Sequence, residues 1–559
     1  MDASLLTARR RAVMIYTNAR DLAPSKGARL GTNVATKREG EVLDFLIETP
    51  PQSQSQSSTS NTVSDYPSAT AVVDIALHDI MAYIQSLNPG PTRASRLIYI
   101  WFFSVAAAYN WVSTTASTHI RGIHDDWNWD TRRVMSTNLS NNLYCWITYA
   151  LTQIMPQFIT GYDVSTILQK ERSALGLTAA QQTQRHAIVQ NLGKWSEFWA
   201  AWETWYAVRN SDGAIAAAVP PTADVLPNGA NVLNVDDTVD PAASFPEPHK
   251  WTPLQFVAGG ALKTQKYLTY NWNSVRSSCL TNEDEVAIKA AAETHIVDGA
   301  ARAAEIDEVV QITNNLTDEQ KMIAEFWAGG PGSVSPPCIA VVMWSLFIRA
   351  LGKSRLVMYD TYFFSGLEMC IHVFEAGRLI WGLKKQYMQA RPIQEIRAAY
   401  RGQTLKNGFG VEVLGESWTP FQESDFVTPP FADFPSGHSG FSQVFAEVMG
   451  KWFGAAIPTT PRLTDVDLSL ISPVLASTTQ LVFPTFIMPA GESQIQPGGA
   501  VPANDVTLSW KRWQDLADSA GISRKYGGIH ATSAHTGSQA LGRLLHKKLD
   551  SHWGIHAKS

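Results

Sequence analysis

The chain has 559 residues, of which 45% are hydrophobic, 10% are aromatic and 19 are Trp, a composition that buries a large core and excludes a disordered protein. A formal net charge of -5 supplies no global basic field, which argues against a nucleic-acid partner. The four cysteines, Cys145, Cys279, Cys338 and Cys370, are far apart and lack zinc or disulfide spacing, so they read as buried thiols.

In chain order, Arg9, Arg10 and Arg11 precede only the short apolar run 12–16, too little for a signal-peptide core, so no secretion signal is expected. Residues 50–68 are polar and of low complexity, which makes 1–68 an N-terminal extension ending in a flexible linker. Beyond it, Val72, Ile75, Ala76, Ile80, Tyr83 and Ile84 keep the spacing of a helix with one buried face. Further helices are predicted near 97–117, 139–155, 178–208, 282–313, 338–350 and 355–388, with few strand signals. The longest apolar run, 338–348, is shorter than the ~20 residues that a bilayer-spanning helix needs, so no membrane insertion is expected. Two stretches rich in Pro, Gly and polar residues, 211–254 and 455–506, read as long irregular excursions. The expected fold class is all-α: a helical N-terminal part over 69–354, a helical bundle over 355–548 and a polar tail over 549–559.

Three short strings carry the chemistry. The first runs from Lys384 to Arg391-Pro392, a separation of nearly two helical turns, so both cations can project to one side; Pro392 is expected to end the helix at Arg391. Alone, the pair also reads as a solvated face or as a cap complementing the helix dipole. The second is Pro435-Ser436-Gly437-His438, directly before the apolar stripe Phe441, Val444, Phe445, Val448 and Trp452. It sets Ser436, Gly437 and His438 at a helix N-terminus, where free N–H groups favour an anion and Gly437 permits close approach. A capping turn with a hydrogen-bonded structural histidine fits the same string. In the third, Ser523-Arg524-Lys525-Tyr526-Gly527-Gly528-Ile529-His530, adjacent glycines point to closely packed backbone. Together, three permanent cations, a hydroxyl, a helix N-terminus and two histidines make a set suited to a tetrahedral oxyanion. His78 and His535 read as core or surface residues, and His546, His552 and His556 as members of a polar tail.

In order and spacing these strings resemble the superfamily that joins vanadium-dependent haloperoxidases to type 2 phosphatidic acid phosphatases and bacterial acid phosphatases. Within the haloperoxidase branch, the string EAGRLIW from Glu375 to Trp381 resembles the helix bearing the family's lysine and first arginine. ALHD at 76–79 and the segments 209–213 and 325–337 resemble other recurring parts, so the likeness spans about 69–548. It implies a four-helix-bundle core and a vanadate cofactor: His530 as the vanadium ligand, and Lys384, Arg391, Ser436, Gly437 and Arg524 as holders of the oxyanion oxygens. His438 would be the acid–base residue. Hydrogen peroxide, a halide (bromide, chloride or iodide) and small organic acceptors would be the partners, and family members self-associate, which makes a homo-oligomer the expectation. Trp381 and Phe431 would wall the pocket, Phe431 standing where brominating algal members carry histidine. Two departures stand out. Gly329 replaces an aspartate that supports the second arginine, and the stretch from His438 to Arg524 is longer than the family's. The nearest alternative is an acid phosphatase working through phospho-His530, and a third is a non-catalytic oxyanion-binding protein; the ~380 residues before Lys384 and the lack of spanning segments weigh against the phosphatase branches.

Overall fold

A computed structural model describes residues 68–112, 139–191, 193–329, 333–352, 359–459 and 484–553. The extension 1–67, the end of the helix expected near 97–117, residues 460–483 of the second excursion and the last six residues lie outside them.

The N-terminal part is helical, as its periodicity predicts: α1 (Ser68–Leu87), α2 (Pro91–Val112), α3 (Leu139–Phe158), α4 (Ser165–Leu175), α5 (Ala179–Asn191) and α6 (Gly193–Asn210). The excursion from 211 onward holds two one-turn helices and a small sheet of β1 (Leu233–Asn234), β2 (Leu254–Ala258) and β3 (Ala261–Thr264). Where one helix was expected over 282–313, the chain makes two, α7 (Asn282–Glu293) and α8 (Gly299–Asn314). The break follows from local chemistry. Thr281 and Asp284 form a capping box that starts α7, and Gly299 takes the left-handed φ of 51° where α8 begins. A further capping box, Thr317 with Gln320, starts α9 (Asp318–Phe326). The bundle follows with α10 (Pro336–Gly352), α11 (Tyr359–Tyr387) and α12 (Pro392–Ala399). The hairpin β4–β5 (Thr404–Lys406, Glu412–Leu414) leads to α13 (Gly437–Phe453), and the pair β6–β7 (Thr485–Met488, Val506–Ser509) to α14 (Trp513–Tyr526) and α15 (Thr532–Trp553). The last helix thus runs five residues into the stretch read as a polar tail.

Helix α13 is the axis of the bundle, packing against α10, α11, α14 and α15. Glycines set two of the approaches. A Cβ at Gly440 of α13 would lie 2.5 Å from Ile380 Cδ1 and 2.7 Å from Ser538 Oγ, so only glycine admits α11 and α15 at this spacing. Gly366 of α11 likewise faces Phe102 of α2 and Trp344 of α10, at 2.2 and 2.8 Å from a would-be Cβ. One continuous apolar core joins α1–α6 to the bundle, and all four cysteines are buried within it without disulfides. Among the described residues no helix is long and apolar enough to cross a membrane.

Candidate active site

The three strings converge where α11 ends, α13 begins and α14 turns into α15. Lys384, in the last turn of α11, is fully buried and donates from Nζ to the carbonyls of Ala432 at 2.6 Å and Asp433 at 3.0 Å. Arg391 does not sit on the same helix, as the seven-residue spacing suggested. The helix stops at Tyr387, Met388 takes a positive φ of 47°, and Arg391 is extended at the N-cap of α12, with Pro392 as that helix's first residue. A turn, not helical periodicity, brings the two cations together. Arg391 then donates to Phe431 O at 2.7 Å, Ile529 O at 2.8 Å and His530 Nε2 at 3.1 Å, joining the first string to the third.

Ser436 caps α13 as its sequence predicts, its hydroxyl accepting from Ser439 N at 3.4 Å while its own N–H binds Ala534 O of α15. The N–H groups of Gly437 and His438 stand in the helix's first turn, where no intrahelical acceptor exists. A Cβ on Gly437 would meet only Phe441 and Trp381, at 3.5 Å or more, so the surrounding protein leaves room there. The glycine pair of the third string does pack closely, but against the 418–422 loop: a Cβ on Gly528 would lie 3.1 Å from both Trp418 and Pro420. Gly528, at φ 68°, turns the chain between α14 and α15 and so sets His530 beside Arg391.

Asp433 and Arg302 complete the arrangement, and the sequence reading missed both. The His530 Nδ1–H donates to Asp433 Oδ1 at 2.5 Å, while Arg302 Nη2 donates to Asp433 Oδ2 at 2.9 Å and to Glu395 at 2.6 Å. Burial opposes the Asp433 charge, but Arg302 and then His530 outweigh it and hold the carboxyl far below its usual range. Burial, and then the Arg391 charge, pushes His530 down to about 3. The imidazole is therefore neutral, with its proton on Nδ1 and its lone pair on Nε2 beside Arg391. The available signal was Asp433 itself, a carboxylate inside the apolar string FADFP, which has to find a buried partner.

Arg524, in the last turn of α14, donates to the carbonyls of Ala324 and Ala328 and to Ser523 Oγ. Among the described residues no carboxylate pairs with it, and burial followed by the charge of Arg391 lowers it to about 9. Burial lowers Arg391 to about 10 and, together with Arg391, takes Lys384 well below its normal value. Gly329 has a φ of 59°, and a Cβ there would lie 3.2 Å from Pro336 and 3.4 Å from His438 Nε2. No side chain at 329 supports Arg524; main-chain carbonyls do so instead. His438 is neutral, held well below its usual range by burial and then by Arg524, and its Nε2–H donates to Trp327 O at 2.7 Å. Lys384 Nζ and Arg391 Cζ each lie 5.1 Å from the centre of the Phe431 ring, and Trp381 packs on Phe431 with ring centroids 4.8 Å apart. His535 is structural, its Nδ1 bound to Ser439 Oγ.

Three cations thus lie buried, Lys384 at 0%, Arg391 at 2% and Arg524 at 1% exposure, and none of them forms an ion pair among the described residues. One of their donors, Arg391 Nη2, is buried with no acceptor among the described residues. Burying charge and donor in this way is costly unless an anion is bound. The donor set fits an oxyanion with a neutral imidazole beside it, which is what vanadate requires.

Residues 364–553 match the family model described as VCPO second helical-bundle domain. Among solved structures, the chain is similar to a bacterial vanadium-dependent chloroperoxidase of holo type, at TM-score 0.55 and 15% identity, covering 83% of this chain and 93% of that one. The apo-type structure of such an enzyme gives TM-score 0.56 at 15% identity, covering 83% and 94%. A structure described as the first bacterial vanadium-dependent iodoperoxidase gives TM-score 0.52 at 17% identity, covering 90% and 99%. No curated protein matches. Residues 364–553, which hold all three strings, match the VCPO second helical-bundle domain model, and the described chain has the fold of the vanadium-dependent haloperoxidases.

Proposed function

We propose that the protein is a vanadate-dependent haloperoxidase that uses hydrogen peroxide to oxidise a halide, which then halogenates small organic acceptors. The observation that carries this reading is the unpartnered Arg391 Nη2 beside the neutral His530 Nε2, with Lys384 and Arg524 buried in the same cluster. Held by these residues, vanadate would supply Lewis-acid chemistry that activates peroxide toward halide without a change of oxidation state.

Each residue's part follows from its geometry. His530 Nε2 offers the lone pair, and Asp433 keeps the proton on Nδ1 so that the lone pair faces the cations. Lys384, Arg391 and Arg524 hold anionic oxygens, together with the Ser436 hydroxyl and the free N–H of Gly437. With its proton on Nε2, His438 has Nδ1 as the basic atom that takes the proton of incoming peroxide. Phe431 and Trp381 keep water from the backs of Lys384 and Arg391.

The test uses purified full-length protein with vanadate, hydrogen peroxide and, in separate runs, chloride, bromide and iodide, following halogenation of monochlorodimedone. Vanadate-dependent turnover is expected, and the halide series reads the preference. Hydrolysis of p-nitrophenyl phosphate without vanadate, and no halogenation with it, would assign the site to phosphoryl transfer through His530 Nε2 instead. Tight vanadate binding with neither activity would leave an oxyanion-binding protein.

A further inference from the structure

A second cluster of ligand-type side chains lies in the bundle far from the oxyanion site. Glu368 and His372 are four residues apart on α11, and His546 and Asp550 four apart on α15, so each pair occupies one face of its helix. The two helices pack together, and Glu368, His372 and His546 each bring one ligand atom within 4.8 Å of the others. His372 lies twelve residues before Lys384, roughly 18 Å along α11 at 1.5 Å per residue.

The atoms are oriented as ligands. The His372 Nδ1–H donates to Glu368 O at 2.8 Å, which leaves the lone pair on Nε2, and that atom lies 3.1 Å from His546 Nδ1. Two imidazole nitrogens sharing a tetrahedral ion at ~2.0–2.1 Å lie roughly 3.3–3.4 Å apart, so the rings need move only a few tenths of an ångström. Without a metal, the His546 Nδ1–H fills this place by donating to His372; a divalent cation would take it once the His546 proton sits on Nε2, the ring staying neutral. Burial, and then the partner imidazole, keeps His372 neutral, while burial and then Lys451 lower His546 to about 4, so neither ring has to lose a positive charge on ligation. The Glu368 carboxylate is fully buried and aimed by Trp452 Nε1 at 2.7 Å. Lys451 of α13 bridges the two carboxylates, 2.9 Å from Glu368 Oε1 and 2.6 Å from Asp550 Oδ1. One monovalent ammonium therefore serves both acids.

We propose that Glu368, His372 and His546 form a site for a divalent first-row cation of the zinc type, with Asp550 as fourth ligand once Lys451 withdraws. Two nitrogens and two oxygens are a zinc-type donor set. The ion would tie α15, the helix that follows His530, to α11. It would act on stability and not on the chemistry at Lys384 and His530.

Full-length protein stripped with a chelator is titrated with Zn2+ and with Co2+, reading stoichiometry by calorimetry, the visible cobalt band and the melting temperature. One equivalent per chain, an intense four-coordinate cobalt spectrum and a raised melting temperature are expected. The partly exposed His546→Asn should lower affinity at least a hundredfold. Lys451→Met strands the Glu368 charge, so it should melt lower than wild type without metal, recover on adding zinc, and bind zinc at least tenfold more tightly than wild type. Zinc bound equally by wild type and His546→Asn, or no stoichiometric binding by wild type, would overturn the site. So would a melting temperature of Lys451→Met that zinc leaves unmoved.

Discussion

Replacing Asp433 by Asn tests the arrangement around His530 at its most constrained point. The carboxylate is fully buried and takes the Nδ1–H of His530 on one oxygen and Arg302 Nη2 on the other. An amide has one acceptor oxygen and one donor group, so it cannot do both. With its oxygen toward Arg302, its NH2 faces Nδ1 and the imidazole proton must move to Nε2, removing the lone pair from the cation side. With its oxygen toward His530, the NH2 meets the donors of Arg302. Breaking a buried ion pair costs ~3–5 kcal/mol, and because Arg302 keeps Glu395 through two hydrogen bonds, the low end of about 3 kcal/mol applies here. For ligation, loss of the group that orients a metal-binding histidine costs 10–100-fold in affinity, or ~1.4–2.8 kcal/mol. Equilibrium dialysis of vanadate against wild type, Asp433→Asn and His530→Ala, with bound vanadium read by elemental analysis, measures this directly. His530→Ala should bind more weakly still. If Asp433→Asn holds vanadate as wild type does, Asp433 does not set the tautomer and the assignment of His530 Nε2 as ligand fails with it.

Other expectations follow from the same contacts. Gly437→Ala should fold normally, since its Cβ meets only ordinary contacts; blocking one hydrogen bond to a charged ligand, worth ~1.5 kcal/mol, should weaken vanadate binding about tenfold. Equal binding by the variant would remove the Gly437 N–H from the site. Gly329→Asp should not restore support to Arg524: at φ 59° and with Pro336 3.2 Å from the new Cβ, it should destabilise by ~1–3 kcal/mol in urea unfolding without tightening vanadate. A gain in affinity would contradict this. The folded protein should also be acid-labile. His530 is lowered to about 3 and His535 and His546 to about 4, chiefly by burial, from an ordinary 6.5. Between those values and 6.5 the unfolded chain binds more protons than the folded one, so stability rises with pH across this window and falls as pH drops through it. The depressed Asp433 works in the same sense below 3.8, its stabilisation being lost as it protonates. Buried acids such as Glu325 and Glu368 are raised by burial and work in the opposite sense, so the fall in melting temperature from pH 7 to pH 4 should be smaller in His535→Gln than in wild type, and equal falls would refute the neutral, buried imidazole of His535.

Local chemistry was what the sequence made legible. Ser436 as a cap and the apolar stripe from Phe441 to Trp452 each depend on neighbours a few positions away, and each stands where its string placed it; Pro392, expected to end a helix at Arg391, instead begins α12 after α11 has stopped at Tyr387. Contacts made across the chain were not legible. His530 and Asp433 are 97 positions apart, Arg302 and Asp433 are 131, and no spacing rule links them. His546 was read as part of a polar tail because its partner is on another helix: α15 carries it back against α11, 174 positions from His372 in sequence. The convergence of Lys384 and Arg391 was anticipated for the wrong reason, since helical periodicity cannot reveal the turn at Met388 that produces it.

How the cations are held explains why the absence of an acid at 329 suits this site. A carboxylate beside Arg524 would orient the guanidinium but also cancel part of its charge. The carbonyls of Ala324 and Ala328 orient it as dipoles and leave the full charge in place. Lys384 is treated the same way by Ala432 and Asp433, and Arg391 by Phe431 and Ile529, again through carbonyls. The acids that are present go elsewhere: Glu395 and Asp433 to Arg302, and Asp433 also to His530. Buried guanidinium and ammonium groups held by main-chain oxygens and neutral side chains are costly in a low-dielectric interior. On the proposed reading that cost would be offset when a dianion enters, and the Arg391 donor without an acceptor among the described residues is where one of its oxygens would sit.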